Sequence, residues 1–288
     1  MAEPSGRVVL AENLAFLRTL PDGVANLIYV DPPFNTGKRQ RREQLRTTRD
    51  KDGDRTGFAG NRYRTVRLGS SAYADTFDDY LCFLEPRLGE ARRLLAADGT
   101  LYFHIDYREA HYCKVMLDGI FGRVSFLNEI IWAYDYGART RKKWPPKHDT
   151  ILVYVKDPAR YTFNYEAIDR IPYMAPSLVG PEKAARGKTP TDTWWHTIVS
   201  PTGKEKTGYP TQKPLAILRR VVTASSNPGD LVLGFFAGSG TTGVAAHELG
   251  RQFLLVDSNP EAFAVMQRRF AGLEGVDFAV FEAGGVSE

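Results

Sequence analysis

The amino-acid sequence predicts an α/β fold, a mostly parallel, doubly wound sheet with helices on both faces. Three observations carry that expectation. Short apolar runs rich in β-branched and aromatic residues alternate with stretches of helical periodicity along most of the chain. One run, Ala25-Asn26-Leu27-Ile28-Tyr29-Val30, stops at Asp31-Pro32-Pro33-Phe34, where two prolines cannot extend a ladder. A second, Leu231-Val232-Leu233, enters the glycine-rich stretch Gly234 to Gly243 and then an alanine-rich helix. Ligands of such sheets sit beyond the carboxyl ends of the strands, so both endings are candidate binding positions.

Composition narrows the class. A chain of 288 residues, 43% hydrophobic and 25% charged, has the make-up of a globular protein able to bury a sizeable core. Apolar runs fall far short of the ~20 residues that span a bilayer. Met1-Ala2-Glu3-Pro4-Ser5-Gly6 lacks the basic and apolar regions of a secretory leader, which makes the cytoplasm the expected location. Cys82 and Cys113 have neither CxxC nor metal-ligand spacing and read as reduced core residues. The net charge of +4 is unevenly spread: Lys38 to Arg67 holds eleven basic residues against four acidic ones, a local +7 that leaves −3 for the remainder. A basic segment directly after the Asp-Pro-Pro-Phe turn fits a polyanionic partner, with a solvated charged loop as the alternative.

Taken in order, Arg7 to Leu10 reads as a strand, and Leu14, Leu17 and Leu20 give the following helix. Residues 36–74 show no apolar periodicity and many Arg, Gly and Thr, which predicts a long basic loop, mobile until a partner orders it. Thr76-Phe77-Asp78-Asp79 is a helix-start signal, and Leu81, Leu84, Leu88, Ala91 and Leu95 form the apolar face that follows, with a kink at Pro86. The strand Thr100 to Ile105 carries His104 and leads to Asp106. With His111 these suggest metal ligands, yet nothing completes a set and no metal is expected.

A helix over 107–121 and strands over 126–132 and 151–155 come next. Between those strands Tyr134, Tyr136, Arg139, Arg141, Lys142 and Lys143 interleave rings with cations, a mixture that stacks bases and pairs phosphates. From Asp157 to Lys206 periodicity fades and Pro, Gly, Lys and Trp accumulate. Pro214 suits the first turn of a helix whose apolar face is Leu215, Leu218, Val221 and Val222, and whose free N–H groups suit a carboxylate. The strand from Phe253 ends at Asp257, nineteen residues after Gly238. A helix with Phe263, Met266 and Phe270, then an edge strand from Val276 to Phe281, completes the chain.

Gly238-Ser239-Gly240-Thr241-Thr242-Gly243 satisfies GxGxxG, and by that pattern alone it is a dinucleotide-binding fingerprint with Asp257 for ribose hydroxyls. No Lys precedes the Ser or Thr, so it is not a P-loop. The other strand ending has its own chemistry. A carboxylate, a proline carbonyl and an aromatic face suit the activation of an amino group on a heteroaromatic ring, whose lone pair stays delocalised until acceptors hold its N–H groups. Asp31 and the Pro32 carbonyl supply the acceptors, Phe34 the stacking face, and proline adds no competing donor. A turn that merely stops a strand is the plainer alternative.

Asp31-Pro32-Pro33-Phe34 resembles the catalytic motif of DNA amino-methyltransferases, and Tyr209-Pro210-Thr211-Gln212-Lys213-Pro214 with residues 234–243 resembles the cofactor motifs of their β class. The resemblance covers nearly the whole chain, in the class's order of catalytic motif first and glycine loop last. It implies a Rossmann-like fold with permuted motif order in one catalytic domain over 1–288, S-adenosyl-L-methionine as cofactor, and methyl transfer to the amino group of an adenine flipped out of double-stranded DNA. Cytosine, with an amino group of the same geometry, is the alternative base; the Asp-initial motif resembles the adenine form.

The resemblance implies Asp31, Pro32, Pro33 and Phe34 as catalytic, and Glu12, Asp31, Lys213, Pro214, Phe236, Ala237, Gly238, Ser239, Gly240, Thr241 and Asp257 around the cofactor. Lys38, Arg39, Arg41, Arg42 and Arg46 of the loop over 36–74, with Arg139, Arg141, Lys142 and Lys143, then face DNA, and 157–206 is a target-recognition insertion. A homodimer and a cognate restriction endonuclease are further implied partners. Two positions depart from the family: Ala11-Glu12 stands for its usual Gly-Asp, and Gly234 for its usual Asp, which leaves Asp257 as the clearest ribose ligand. A nicotinamide oxidoreductase and a DNA-binding protein with weakened catalysis stay open as other readings.

Overall fold

The apolar runs become strands covered on both faces, which is why they read as continuous rather than alternating. Val8, Val9, Leu27, Ile28, Val30, Val232 and Leu233 have no exposed surface at all. The computed structural model describes residues 5–35, 38–49, 55–56, 62–75, 79–137, 139–200 and 203–282, with backbone alone over 38–75. Contacts divide the chain into two units, Pro33–Tyr80 and the combination of Met1–Pro32 with Leu81–Glu288.

In chain order the elements begin with β1 (Gly6–Leu10), α1 (Asn13–Leu17), β2 (Ala25–Val30), β3 (Lys38–Arg49), β4 (Arg55–Thr56), β5 (Arg62–Asp75), α2 (Tyr80–Leu94) and β6 (Leu95–Asp106). There follow α3 (Ala110–Phe121), β7 (Phe126–Ala133), β8 (His148–Val155), α4 (Pro181–Arg186) and β9 (Thr193–Trp195). The last are α5 (Leu215–Ser225), β10 (Leu231–Gly234), α6 (Thr241–Glu248), β11 (Gln252–Asp257), α7 (Pro260–Arg269) and β12 (Val276–Val280).

The larger unit is built on a nine-stranded sheet in the order β12-β1-β11-β10-β2-β6-β8-β7-β9. Pairing is parallel from β12 through β6 and between β7 and β9, and antiparallel where β8 meets β6 and β7. This is the expected α/β, Rossmann-like architecture. From β10 the chain crosses through α6 to β11 on one side, and from β2 it proceeds to β6 on the other, while β10 and β2 pair through Val232↔Leu27 and Leu233↔Ile28. Chain direction therefore diverges between β10 and β2, the place where an open α/β sheet forms a crevice. Helix α5 covers the sheet here with Ile217, Leu218, Val221 and Val222, each at most 2% exposed. Such burial contributes roughly 1.5–3 kcal/mol per side chain, as an upper estimate.

The smaller unit overturns the loop expected over 36–74. Strands β3 and β5 pair antiparallel from Lys38↔Asp75 to Arg49↔Tyr63, with one register shift at Gln44/Leu45, and β4 pairs with β5. A backbone ladder needs no apolar face of its own, and Arg, Gln and Thr along β3 supply none, so the periodicity that betrays a half-buried strand is missing. The side chains of Lys38, Arg39, Arg41, Arg42 and Arg46 lie outside what is described, as do Thr76, Phe77 and Asp78 of the expected helix start.

Smaller differences concern single positions. Pro214 is the N-cap of α5 rather than part of its first turn. Cys113 is buried as expected, but Cys82 is exposed on α2. Within 157–206, Trp194 of β9 is buried with its indole N–H on the Thr191 carbonyl at 2.8 Å, so this stretch is docked on the sheet edge. Between it and the sheet lies a cavity of about 470 Å³ lined by Tyr102, Tyr161, Phe163, Trp194 and Arg220, among others.

Candidate active site

Asp31 follows β2 directly and lies in the β2–β10 crevice. Its Oδ2 accepts a hydrogen bond from Lys213 Nζ at 2.5 Å, the two side chains being 18% and 9% exposed. Its Oδ1 is buried and has no partner among the described residues. A buried acceptor without a donor is costly, and in a native fold it marks a place for something else to bind.

The Tyr209-to-Pro214 run explains how Lys213 is held there. Gln212 Oε1 accepts from the Thr207 amide at 2.8 Å while its Nε2 donates to the Glu205 carbonyl at 2.7 Å, closing the loop on itself. Thr211 takes a left-handed φ of 60°. The first amide of α5, Leu215 N–H, donates to Glu205 Oε2 at 3.1 Å. That N–H, expected to be free for a ligand carboxylate, is thus satisfied by the chain's own glutamate.

Across the crevice, β10 ends at Gly234 and the chain turns through Phe235 to Gly240 into α6. Gly238 and Gly240 have φ of 52° and 76°. A Cβ on Gly240 would sit 2.8 Å from Met266 Cγ, and one on Gly238 3.2 Å from the Tyr209 ring, so both need glycine for conformation and for space. Asp257, at the end of β11, fixes the loop: Oδ2 accepts from the Gly238 amide at 2.7 Å and Oδ1 from the Asn259 amide at 2.9 Å. Burial pushes the Asp257 carboxyl above its ordinary range, against the opposing pull of these amides. Ser239 and Thr241 turn inward, their hydroxyls 3.1 Å apart, and Arg269 donates to the Ser239 carbonyl and the Thr241 hydroxyl. Phe236 is half-buried beside Phe83, and Ala237 donates its amide to the Val256 carbonyl at 3.1 Å.

Glu12 caps α1 through the Ala15 amide at 2.8 Å and pairs with Arg87 at 2.5 Å. Burial works to raise its carboxyl, but the amides of Ala15 and Leu14 together with Arg87 hold it below the usual value. Its neighbour Asn13 was not singled out from the sequence, yet it is buried, donates to the Phe235 carbonyl at 2.7 Å and accepts from Arg87 at 2.7 Å, tying α1 and α2 to the glycine loop.

The remaining site residues fall elsewhere. Pro32 is buried; Pro33 and Phe34 belong to the smaller unit, where the Pro33 carbonyl accepts from the Tyr80 hydroxyl at 2.5 Å. Arg139, Arg141, Lys142 and Lys143 are exposed between β7 and β8, as is Trp144 at 95%, a residue the sequence reading passed over. His104, Asp106 and His111 do not converge. His104 bonds Tyr29 and Asp149, Asp106 pairs with Arg108, and His111 is exposed on α3.

Comparison with known proteins identifies the family. The DNA methylase family model matches residues 25–268. The type II methyltransferase M.HpaI of Haemophilus parainfluenzae is 30% identical over 94% of this chain and 77% of its own length. DNA adenine methyltransferase YhdJ of Escherichia coli strain K12 is 30% identical over 91% of this chain and 81% of its own. Among solved structures, the M1.HpyAVI–SAM complex superposes with a TM-score of 0.59 at 20% identity, covering 92% of this chain and 99% of that one. The cytosine-N4-specific PvuII DNA methyltransferase gives 0.62 at 13% identity, covering 94% and 90%, so the fold is shared well beyond detectable sequence likeness. On the family match across both the Asp31 turn and the glycine loop, the chain belongs to the DNA methylase family.

Proposed function

We propose that this enzyme transfers a methyl group to the exocyclic amino group of a flipped adenine in double-stranded DNA, with S-adenosyl-L-methionine as cofactor. The observation that carries the reading is the buried Oδ1 of Asp31, without a partner among the described residues, in the crevice that also holds the glycine loop. The residues present fit the cofactor. Gly238 and Gly240 keep the loop free of side chains, Asp257 offers remaining lone pairs for ribose hydroxyls, and Lys213 with Pro214 borders the same crevice. When bound, S-adenosyl-L-methionine supplies an electrophilic methyl group on a sulfonium.

The chain's own groups do the rest. Asp31 Oδ1 accepts an amino N–H of the target base, which draws the nitrogen lone pair out of the ring and orients it. Lys213 pins Oδ2, so the carboxylate cannot rotate away. The Pro32 carbonyl takes the second N–H and Phe34 stacks on the base. The negative charge of Asp31 then stabilises the nitrogen as it becomes positive, an effect strengthened by partial exclusion of water. Flipping the base out of the duplex costs a few kcal/mol. Lys38, Arg39, Arg41, Arg42 and Arg46 on β3, with Arg139, Arg141, Lys142 and Lys143, neutralise phosphates, and 157–206 reads the site. Glu12, Phe236, Ala237, Ser239 and Thr241 shape the cofactor side, chiefly by holding the loop.

Adenine is favoured by the Asp-initial motif and by the activity named for the E. coli relative. Among the described residues no helix is long and apolar enough to cross a membrane. The cytoplasm is the location we propose, as the place where a DNA substrate is met. A second copy of the chain and a cognate restriction endonuclease are partners to be sought by sedimentation and by restriction sensitivity of the methylated DNA. The decisive test is incubation with unmethylated genomic DNA and labelled cofactor, followed by nucleoside mass spectrometry. N6-methyladenine supports the reading, N4-methylcytosine moves it to the other base, and absence of both with NAD binding by calorimetry refutes it.

A further inference from the structure

On the face of the sheet covered by α5, Asp31 and Lys213 have a second acid for a neighbour. His104 stands opposite the position after Val30 in the β2–β6 register and is fully buried. Its Nδ1 lies 2.6 Å from the Tyr29 hydroxyl and its Nε2 3.1 Å from Asp149 Oδ2, while the Tyr134 hydroxyl donates to Asp149 Oδ1 at 2.9 Å. Burial, with the nearby charges of Asp31 and Asp149, pushes the Tyr29 hydroxyl well above its ordinary range. Tyr29 therefore keeps its proton, and the two ring nitrogens of His104 bridge its hydroxyl to Asp149. Trp132 meets the same ring edge-on at 5.5 Å. Burial of Asp149 works to raise its carboxyl, but the bond and charge of His104, the charge of Lys213 and the bond from Tyr134 together hold it below the usual value. Asp149 is thus an ionised, immobile carboxylate within the electrostatic reach of Lys213. Asp106, the other acid at this strand end, is already tied to Arg108.

Lys213 offsets part of the charge that Asp31 presents to a nitrogen acquiring positive charge. Asp149 sets a second carboxylate against the same ammonium. We propose that Asp149, oriented by His104 and Tyr134, is a positioning residue for methyl transfer, a second carboxylate that offsets the Lys213 ammonium and leaves Asp31 more of its charge for the target nitrogen. This rests on the methyltransferase reading above and extends it to residues outside both motifs.

The test is single-turnover methyl transfer to unmethylated genomic DNA by the full chain, with cofactor and DNA affinities measured separately. Asp149→Asn is expected to slow transfer about tenfold or more, less than the roughly 100-fold loss typical of a group that acts directly, with both affinities within about threefold of wild type. Asp149→Glu recovers part of the rate. In a Lys213→Gln background, where no ammonium offsets Asp31, the same Asp149→Asn change costs less than about threefold, the non-additivity of groups acting through one another. Should Asp149→Asn fail to fold, Tyr134→Phe carries the test by removing one hydrogen bond, with a loss of about two- to tenfold that again shrinks without Lys213. Equal losses in both backgrounds, or an unchanged rate, overturn the inference while leaving the methyltransferase reading intact. A wild-type chain that methylates no DNA overturns both.

Discussion

Asp31→Ala removes two things at once, the acceptor for the target amine and the counter-ion of a buried lysine. Breaking a buried pair by deleting one partner costs about 3–5 kcal/mol. Lys213 is 9% exposed but Asp31 is 18% exposed, so solvent relieves part of the penalty and about 2–4 kcal/mol is expected. For a chain of this size each kcal/mol moves the melting temperature by roughly 2–4 °C, which puts the loss at about 4–16 °C. The methyl-transfer rate falls about 100- to 1,000-fold, as for removal of one directed electrostatic group. Asp31→Asn keeps an acceptor but not the charge, and is expected to be nearly as slow. The informative companion is Asp31→Ala with Lys213→Met, which also deletes the ammonium that Asp31 faced. Most of the melting temperature returns and none of the rate does. Differential scanning calorimetry and single-turnover kinetics on the same preparations separate the effects. An Asp31→Ala protein that melts with wild type and transfers methyl at the wild-type rate would refute both halves of the reasoning.

Neutralising Arg39, Arg41, Arg42 and Arg46 together should weaken DNA binding and flatten its dependence on salt, each lost phosphate contact lowering the log–log slope by roughly 0.9; an unchanged slope removes β3 from the interface. Trp144→Ala should weaken DNA binding by about 1–3 kcal/mol, the worth of one stacked base, with cofactor affinity unaltered by calorimetry. Asp257 has a folded-state carboxyl raised by burial, so its contribution to stability is fully present below its ordinary value of 3.8 and is lost as pH rises through the folded value. The stability of wild type relative to Asp257→Asn should therefore decline as pH is raised from about 4, measured by urea unfolding. The same substitution should weaken cofactor binding by about 1.5–3 kcal/mol, roughly 10- to 150-fold.

What could be read from the sequence was whatever is local. The strand ending at Val30, the turn at Asp31, the glycine loop and the apolar face of α5 each show their physics within a dozen residues or fewer, and all stand where expected. The strands of the smaller unit escaped notice because backbone pairing alone defines them. The Asp31–Lys213 contact joins residues 182 apart and His104–Asp149 residues 45 apart, and no periodicity records such meetings. Asn13 and Glu205 were missed for a related reason. Their side chains satisfy backbone groups of segments far along the chain or of a helix start that looked open.

Strand β1 pairs with β11 and β12, both formed from the end of the chain. A ribosome that has made the first two hundred residues has therefore produced Asp31 but neither the neighbours of β1 nor the glycine loop. With Lys213 trailing Asp31 by 182 residues, synthesis at about 5–20 residues per second leaves the two apart for roughly 10 to 40 seconds. During that interval the edges of β1 and β2 facing β11 and β10 lack their native partners, the condition in which strands pair wrongly or recruit chaperones. The order of motifs thus delays assembly of the crevice until the last third of the chain has been made, because only then can the glycine loop and Lys213 meet Asp31.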